Sequence, residues 1–472
     1  MMTLAARASV LAALALAAGC GDDGGAPPVD APPPYQRPVP VAVPLSAAGP
    51  DELLAAATGP DGTFYAAGFA AQAIGATRSV VVVKLTADGR LDGDFGTGGV
   101  ATTPLDYRGE NGDSELGLVV QASGKLVVEA TVPNAADPDD HDVALVRVDA
   151  GGAVDPSFGD GGVRVLDLTT AVNQNGNRAG LDGARGLAQD PASGVLYAYA
   201  VSRDPGLLFG EPRTDTDFTI VKLSADGAVD ASYGGGAGRF TYDLQDVSEQ
   251  VHGINVLPDG SVIASGYATS PGLGSTQPVV MKVSPAGALV PDFAEGGVFH
   301  DIVLALQTEV YNVVPEGGFG VTCGYGRDTG PAAAWVSLRF DLATGARDLG
   351  WGGAAKGAVV IDPTGDQVSD NCRNAVALPR GRTLMLGTVG PFNTPMLDAA
   401  WGVLDAGGHL DAAFGPGVFI DSLGGNDSLW AGAVSTTGDR AIAVGYEGGG
   451  PDAMQTAAMN DDSYAVVIPL PP

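Results

Sequence analysis

Positive charge is what this sequence has least of. Its 24 Lys and Arg stand against 55 Asp and Glu, a formal net charge of −31. A nucleic-acid partner is excluded on that ground, because phosphate binding needs clustered cations that replace counterions. Catalytic motifs are missing as well. The four histidines, His141, His252, His300 and His409, form no close-spaced metal pair, and no Gly-x-Ser-x-Gly elbow occurs. Only a triad assembled in space stays open. The apolar run Ala8 to Ala18 is too short to span a bilayer stably. Charged residues make up only 17% of the chain but apolar ones 45%, which is too apolar for disorder. What is abundant is glycine and proline, 71 and 33 of the 472 residues. So many turn-formers favour short strands joined by tight turns, and such folds can run long as one unit.

The chain repeats. Val81-Val82-Val83-Lys84-Leu85 leads through Asp88-Gly89 and Leu91-Asp92 to Phe95-Gly96 and Gly98-Gly99-Val100. The pattern returns at Leu145 to Val163, with Asp155 and Phe158-Gly159, and at Ile220 to Tyr233-Gly234. It continues at Val280 to Phe293, Ser337 to Trp351-Gly352 and Trp401 to Phe414-Gly415, and the last copy stops at Tyr464 to Ile468. Between these lies a second block, in which an acidic residue precedes a turn glycine by eleven or twelve positions: Asp51/Gly62, Asp113/Gly124, Asp182/Gly194, Glu249/Gly260, Asp370/Gly381 and Asp427/Gly438. A degenerate copy surrounds Gly317-Gly318. A period of about 62 residues accommodates four short strands, and four-stranded sheets repeated four to eight times make a β-propeller.

The two ends predict closure. The last copy lacks its final strand, and a strand of that type, Val39 to Leu45, stands unpaired ahead of the first copy. Pairing the two completes a seventh blade, whereas an open solenoid would need capping repeats. The expected fold is therefore all-β, a seven-bladed propeller over 39–472 closed by its N-terminal strand. The run Val81 to Val100, with Asp92/Phe95/Gly96 and Asp155/Phe158/Gly159, resembles the delta-60 repeat proteins, a family that implies the repeat and almost nothing about activity.

Ahead of the repeats, residues 1–19 hold Arg7, the apolar run and the sequence Leu16-Ala17-Ala18-Gly19-Cys20, and read as a cleavable export signal. Small residues before a cysteine resemble a bacterial lipoprotein signal. That resemblance implies that Cys20 is lipidated and that the protein sits in the bacterial cell envelope, at the outer membrane on its periplasmic or surface side, touching the membrane through its lipid anchor only. The plainer reading is an ordinary signal peptide with an incidental cysteine. Residues 20–38 are rich in Gly and Pro and would serve as an extended tether of roughly 55 Å.

Residues kept in every copy are explained first by what every blade needs. Glycines allow tight connections, the aromatic ring fills the wedge between blades, and Asp92, Asp155, Asp230 and Asp411 can accept backbone N–H groups across a turn. The acidic column Asp51, Asp113, Asp182, Glu249, Asp370 and Asp427 has two readings. The carboxylates could ring the channel mouth and hold Ca²⁺ or another divalent cation, or each could bond the backbone of its neighbour. Three positions after the acid the column reads Leu54, Leu116, Arg185, His252, Val310, Arg373, Trp430. Arg185, His252, Arg373 and Trp430 break the pseudo-symmetry and are the candidates for ligand binding, with charge balance of the acidic ring as the alternative. Acidic loops at 137–142 and 460–462 only loosely resemble cation-binding loops. Cys323 and Cys372, in adjacent copies, could form a disulfide.

Taken together, these features predict a monomeric, lipid-anchored binding or scaffolding module, non-enzymatic, for a protein or glycan ligand. The alternative is a metal-dependent propeller hydrolase, lactonase- or esterase-like, whose channel carboxylates hold the ion.

Overall fold

The computed structural model describes residues 34–108, 115–137, 140–169, 182–203, 207–208, 211–212, 215–244, 248–269, 275–365, 370–390, 397–448 and 462–472. Cys20, the signal, most of the tether, Asp113 and residues 460–461 lie outside that set.

Seven antiparallel blades follow one another along the chain, and a separate two-stranded ribbon pairs Leu207–Leu208 with Glu211–Pro212. Blade 1 is built from Asp51–Thr58, Phe64–Ala71, Arg78–Leu85 and Val100–Asp106, innermost strand first. The inner strands of blades 2 to 7 are Gly117–Val120, Gly183–Gln189, Ser248–Val256, Asn312–Glu316, Asn371–Leu378 and Ser428–Val434. Middle strands have a blade on each face, so both of their faces are apolar: every residue of Phe64–Ala71 is buried, and Val80-Val81-Val82-Val83 runs without alternation. The outer strand Val100–Asp106 alternates buried and exposed positions, as a strand with one solvated face must.

Closure is as the ends of the sequence predict. Val41 pairs with Ala465 and Ala42 with Tyr464, Val43 N–H donates to Ser463 O at 2.8 Å, and Val43 is fully buried. The compact unit begins at Tyr35, a little ahead of the expected boundary. Tyr35 OH donates to Pro469 O at 3.1 Å, and its ring lies 5.2 Å from that of Phe414.

Neighbouring blades are joined by one repeated device. Phe95, Phe158, Tyr233, Phe293, Trp351 and Phe414 are all buried. The residue after each of the first five donates its N–H to the turn of the next blade: Gly96 to Gly151 O, Gly159 to Asp226 O, Gly234 to Ala286 O, Ala294 to Thr344 O and Gly352 to Gly407 O, at 2.8–3.1 Å. The approach leaves no room for a side chain on the receiving turn: a Cβ on Gly408 would meet the Trp351 ring at 2.8 Å. Arg147, 2% exposed, adds an ionic tie, donating at 2.8 Å to Asp155 in its own blade and at 2.8 Å to Asp226 in the next.

Candidate functional site

The inner strands converge on a central cavity of about 500 Å³ lined from all seven blades. What enters it is decided by a β-bulge. Register slips between Leu53 and Ala55, Ala184 and Gly186, Val251 and Ile254, Cys372 and Asn374, and Leu429 and Ala431. A bulge re-aims the extra residue, and here that residue is Leu54, Arg185, His252, Arg373 or Trp430, each lining the cavity. The bulged position is the one three places after the acid.

Blade 5 differs from its expected alignment by one residue. A Cβ on Gly387 would meet Asn371 O at 2.0 Å, and one on Gly324 would meet Glu309 O at 1.9 Å, so Glu309 matches Asn371 and the bulge falls on Tyr311. Val310 belongs to the core instead. The close-approach glycine Gly324 was the available signal, obscured because the turn of this copy is displaced. With Tyr311 restored, the ring divides into two arcs. Blades 7, 1 and 2 present Trp430, Leu54 and Leu116; blades 3 to 6 present Arg185, His252, Tyr311 and Arg373.

His252, Tyr311, Arg373 and Trp430 form a continuous row of contacts. The rings of His252 and Tyr311 lie 3.9 Å apart and nearly parallel. The Arg373 guanidinium sits 5.4 Å from the Tyr311 centroid and 4.8 Å from that of Trp430, and its Nη1 donates to Tyr311 Oη at 3.3 Å. His252 Nδ1 lies 2.6 Å from Glu115 Oε1, and its Nε2 is buried with no hydrogen-bond partner among the described residues. Below this layer Asn255 donates to Asn312 Oδ1 at 3.2 Å and Asn312 to Asn374 Oδ1 at 3.1 Å. Behind the wall, burial pushes the carboxyls of Glu129 and Glu309 up.

The acidic column stands apart from the cavity lining. Asp51 accepts from Ser46 N and Ser463 N, both at 2.9 Å; Asp182 accepts from Leu168 N and from Thr169 N. Glu249 accepts from Leu244 N at 2.6 Å, Asp370 from Gly390 N at 3.2 Å, and Asp427 from Leu423 N at 2.7 Å and Gly424 N at 3.1 Å. These donors lie on the connections into each blade or at the ends of its neighbouring strands. In blade 5 Thr308 takes the place of the acid, its hydroxyl accepting from Leu304 N at 3.0 Å. Removal from water pushes Asp51 up to about 6, Asp182 to about 7 and Glu249 to about 8. Among the described residues of this column only Asp182 joins a carboxylate cluster: its oxygen lies within 4.8 Å of those of Asp142 and Asp167, a geometry that could take a cation, as could that of Asp215, Asp217 and Asp243.

No protein-family model matches the chain, and no curated protein does. Solved structures do. A protein of unknown function from Dyadobacter fermentans aligns over 93% of this chain and 100% of its own, with 11% identity and a TM-score of 0.41. The RRP9 WD40 repeats align over 92% and 100%, with 11% identity and a TM-score of 0.47. The β-propeller domain of the Trilobed protease from Pyrococcus furiosus aligns over 90% and 97%, with 9% identity and a TM-score of 0.43.

Cys323 and Cys372 are buried free thiols in one core cluster shared by blades 5 and 6. Burial and the neighbouring Cys372 hold the Cys323 thiol well above its usual range.

Proposed function

We propose that this chain is a binding module whose ligand site is the central channel, carried on a delta-60-type propeller and held in the bacterial envelope by a lipid on Cys20. One observation carries the reading. In a chain with more than two acids per base, the charged side chains lining the cavity, among the described residues, are Arg185, Arg373 and Glu115, with the imidazole of His252 beside them. Cations concentrated against the composition, on the bulged position that turns side chains inward, are what a selective pocket needs. The hydrolase alternative draws less support, because the described acids meant to hold its ion, Asp51, Asp182, Glu249, Asp370 and Asp427, lie outside the cavity lining and each gives an oxygen to a backbone N–H group.

Ligand-observed NMR with a mixed set of organic acids, sugars, amines and short peptides tests this against the native protein and against Ala55→Trp and Asn374→Trp, which fill the channel from two walls. Fragments bound by the native protein should be lost from both folded variants. Binding that persists in both, or a native protein that binds none, overturns it.

A further inference from the structure

We infer that the channel takes a singly charged organic carboxylate with an apolar flank, an inference that rests on the channel being the binding site. The division of the ring argues for it. Arg185, His252 and Arg373 occupy one arc, whereas Leu54, Leu116 and the indole of Trp430 occupy the other. A molecule spanning the cavity therefore meets two guanidinium groups on one side and, on the other, hydrocarbon flanked by the Glu115 carboxylate that is paired with His252. A cavity near 500 Å³ suits a small molecule and is too small for a folded partner.

The chemistry of the cations narrows the class. A guanidinium set against aromatic rings, as that of Arg373 is 4.8 Å from the Trp430 centroid and 5.4 Å from that of Tyr311, carries its N–H groups in a planar fork that matches the two oxygens of a carboxylate. Contact with both rings and the bond from Nη1 to Tyr311 Oη restrain the group, so little side-chain freedom is lost when a ligand arrives. A cationic ligand would face two guanidinium groups directly. A doubly charged phosphate would bring a second negative charge towards Glu115, which lines the same cavity and is already committed to His252. Neutral sugars offer no charge to match the arc and leave the leucine side uncovered by their hydroxyls.

The test uses three matched probes on the full-length protein: phenylacetate, phenylacetamide and phenethylammonium. Isothermal titration should find phenylacetate bound, the amide weaker by more than about tenfold, as expected for a lost charge-assisted bond, and the ammonium unbound. Arg373→Ala should weaken phenylacetate by a similar factor with its unfolding midpoint retained, and Arg373→Lys, which keeps the charge but not the planar fork, should fall between. Arg185→Gln provides a second variant should Arg373→Ala unfold. Inorganic phosphate should compete poorly. Amide or ammonium binding as tight as the carboxylate, or affinity indifferent to both arginines, overturns the carboxylate assignment while channel-dependent fragment binding still stands. Loss of all fragment binding would instead remove the channel reading beneath it.

Discussion

Glu115 of blade 2 and His252 of blade 4 meet with Oε1 2.6 Å from Nδ1, although blade 3 separates their strands. The contact braces the ring across non-adjacent sheets. It also selects a tautomer: with Nδ1–H given to the carboxylate, the neutral imidazole carries its lone pair on Nε2.

A double-mutant cycle measures the brace. Glu115→Ala and His252→Ala should show a coupling of about 1–2 kcal/mol in urea unfolding, the range for partly buried contacting pairs. Additivity within about 0.5 kcal/mol would mean that the two side chains merely lie side by side.

Closure predicts an abrupt dependence on the N-terminal boundary. A chain starting at Tyr35 should unfold with the midpoint of the full protein. One starting at Leu45 loses the strand on Ala465 and Tyr464 together with Val43, whose burial alone is worth about 1.5–3 kcal/mol, and should melt well below it. Equal midpoints by differential scanning calorimetry would show that the ring holds without its clasp.

Acidity should stabilise this protein over most of the physiological range. Burial raises the folded-state carboxyls of Asp51, Asp182 and Glu249 to about 6, 7 and 8, above the ordinary values of 3.8 and 4.5. Between about pH 4 and 8 the native state thus binds more protons than the unfolded one, and stability falls as pH rises through that window. Turn carboxylates such as Asp92 and Asp348, held down by Lys84 and Arg339, act oppositely and only below the ordinary carboxylate range. Glu249→Gln keeps an acceptor for Leu244 N and should flatten the decline. A midpoint that rises from pH 5 to pH 8 would contradict the assignment.

The blade count, the closing strand and the buried aromatic wedge were legible in the chain because each rests on short-range pattern: alternation, turn glycines and an incomplete copy at each end. Arg185, His252, Arg373 and Trp430 stood out as departures from a column, and all four line the cavity. Less visible was the side each column faces. A slip of one residue sends a strand's side chains to the opposite face, and the bulge introduces such a slip in the middle of the inner strands. That is how the acids come to lie on the blade connections, three residues from side chains in the channel, and how Tyr311 came to stand where Val310 was expected. Glu115 gave no local sign at all, since its partner lies 137 residues away. Sequence alone determined how many sheets this protein folds and how it closes them. Which atoms share the hub was left to tertiary structure, because bulge register and contacts across the ring exist only once all seven sheets surround one axis.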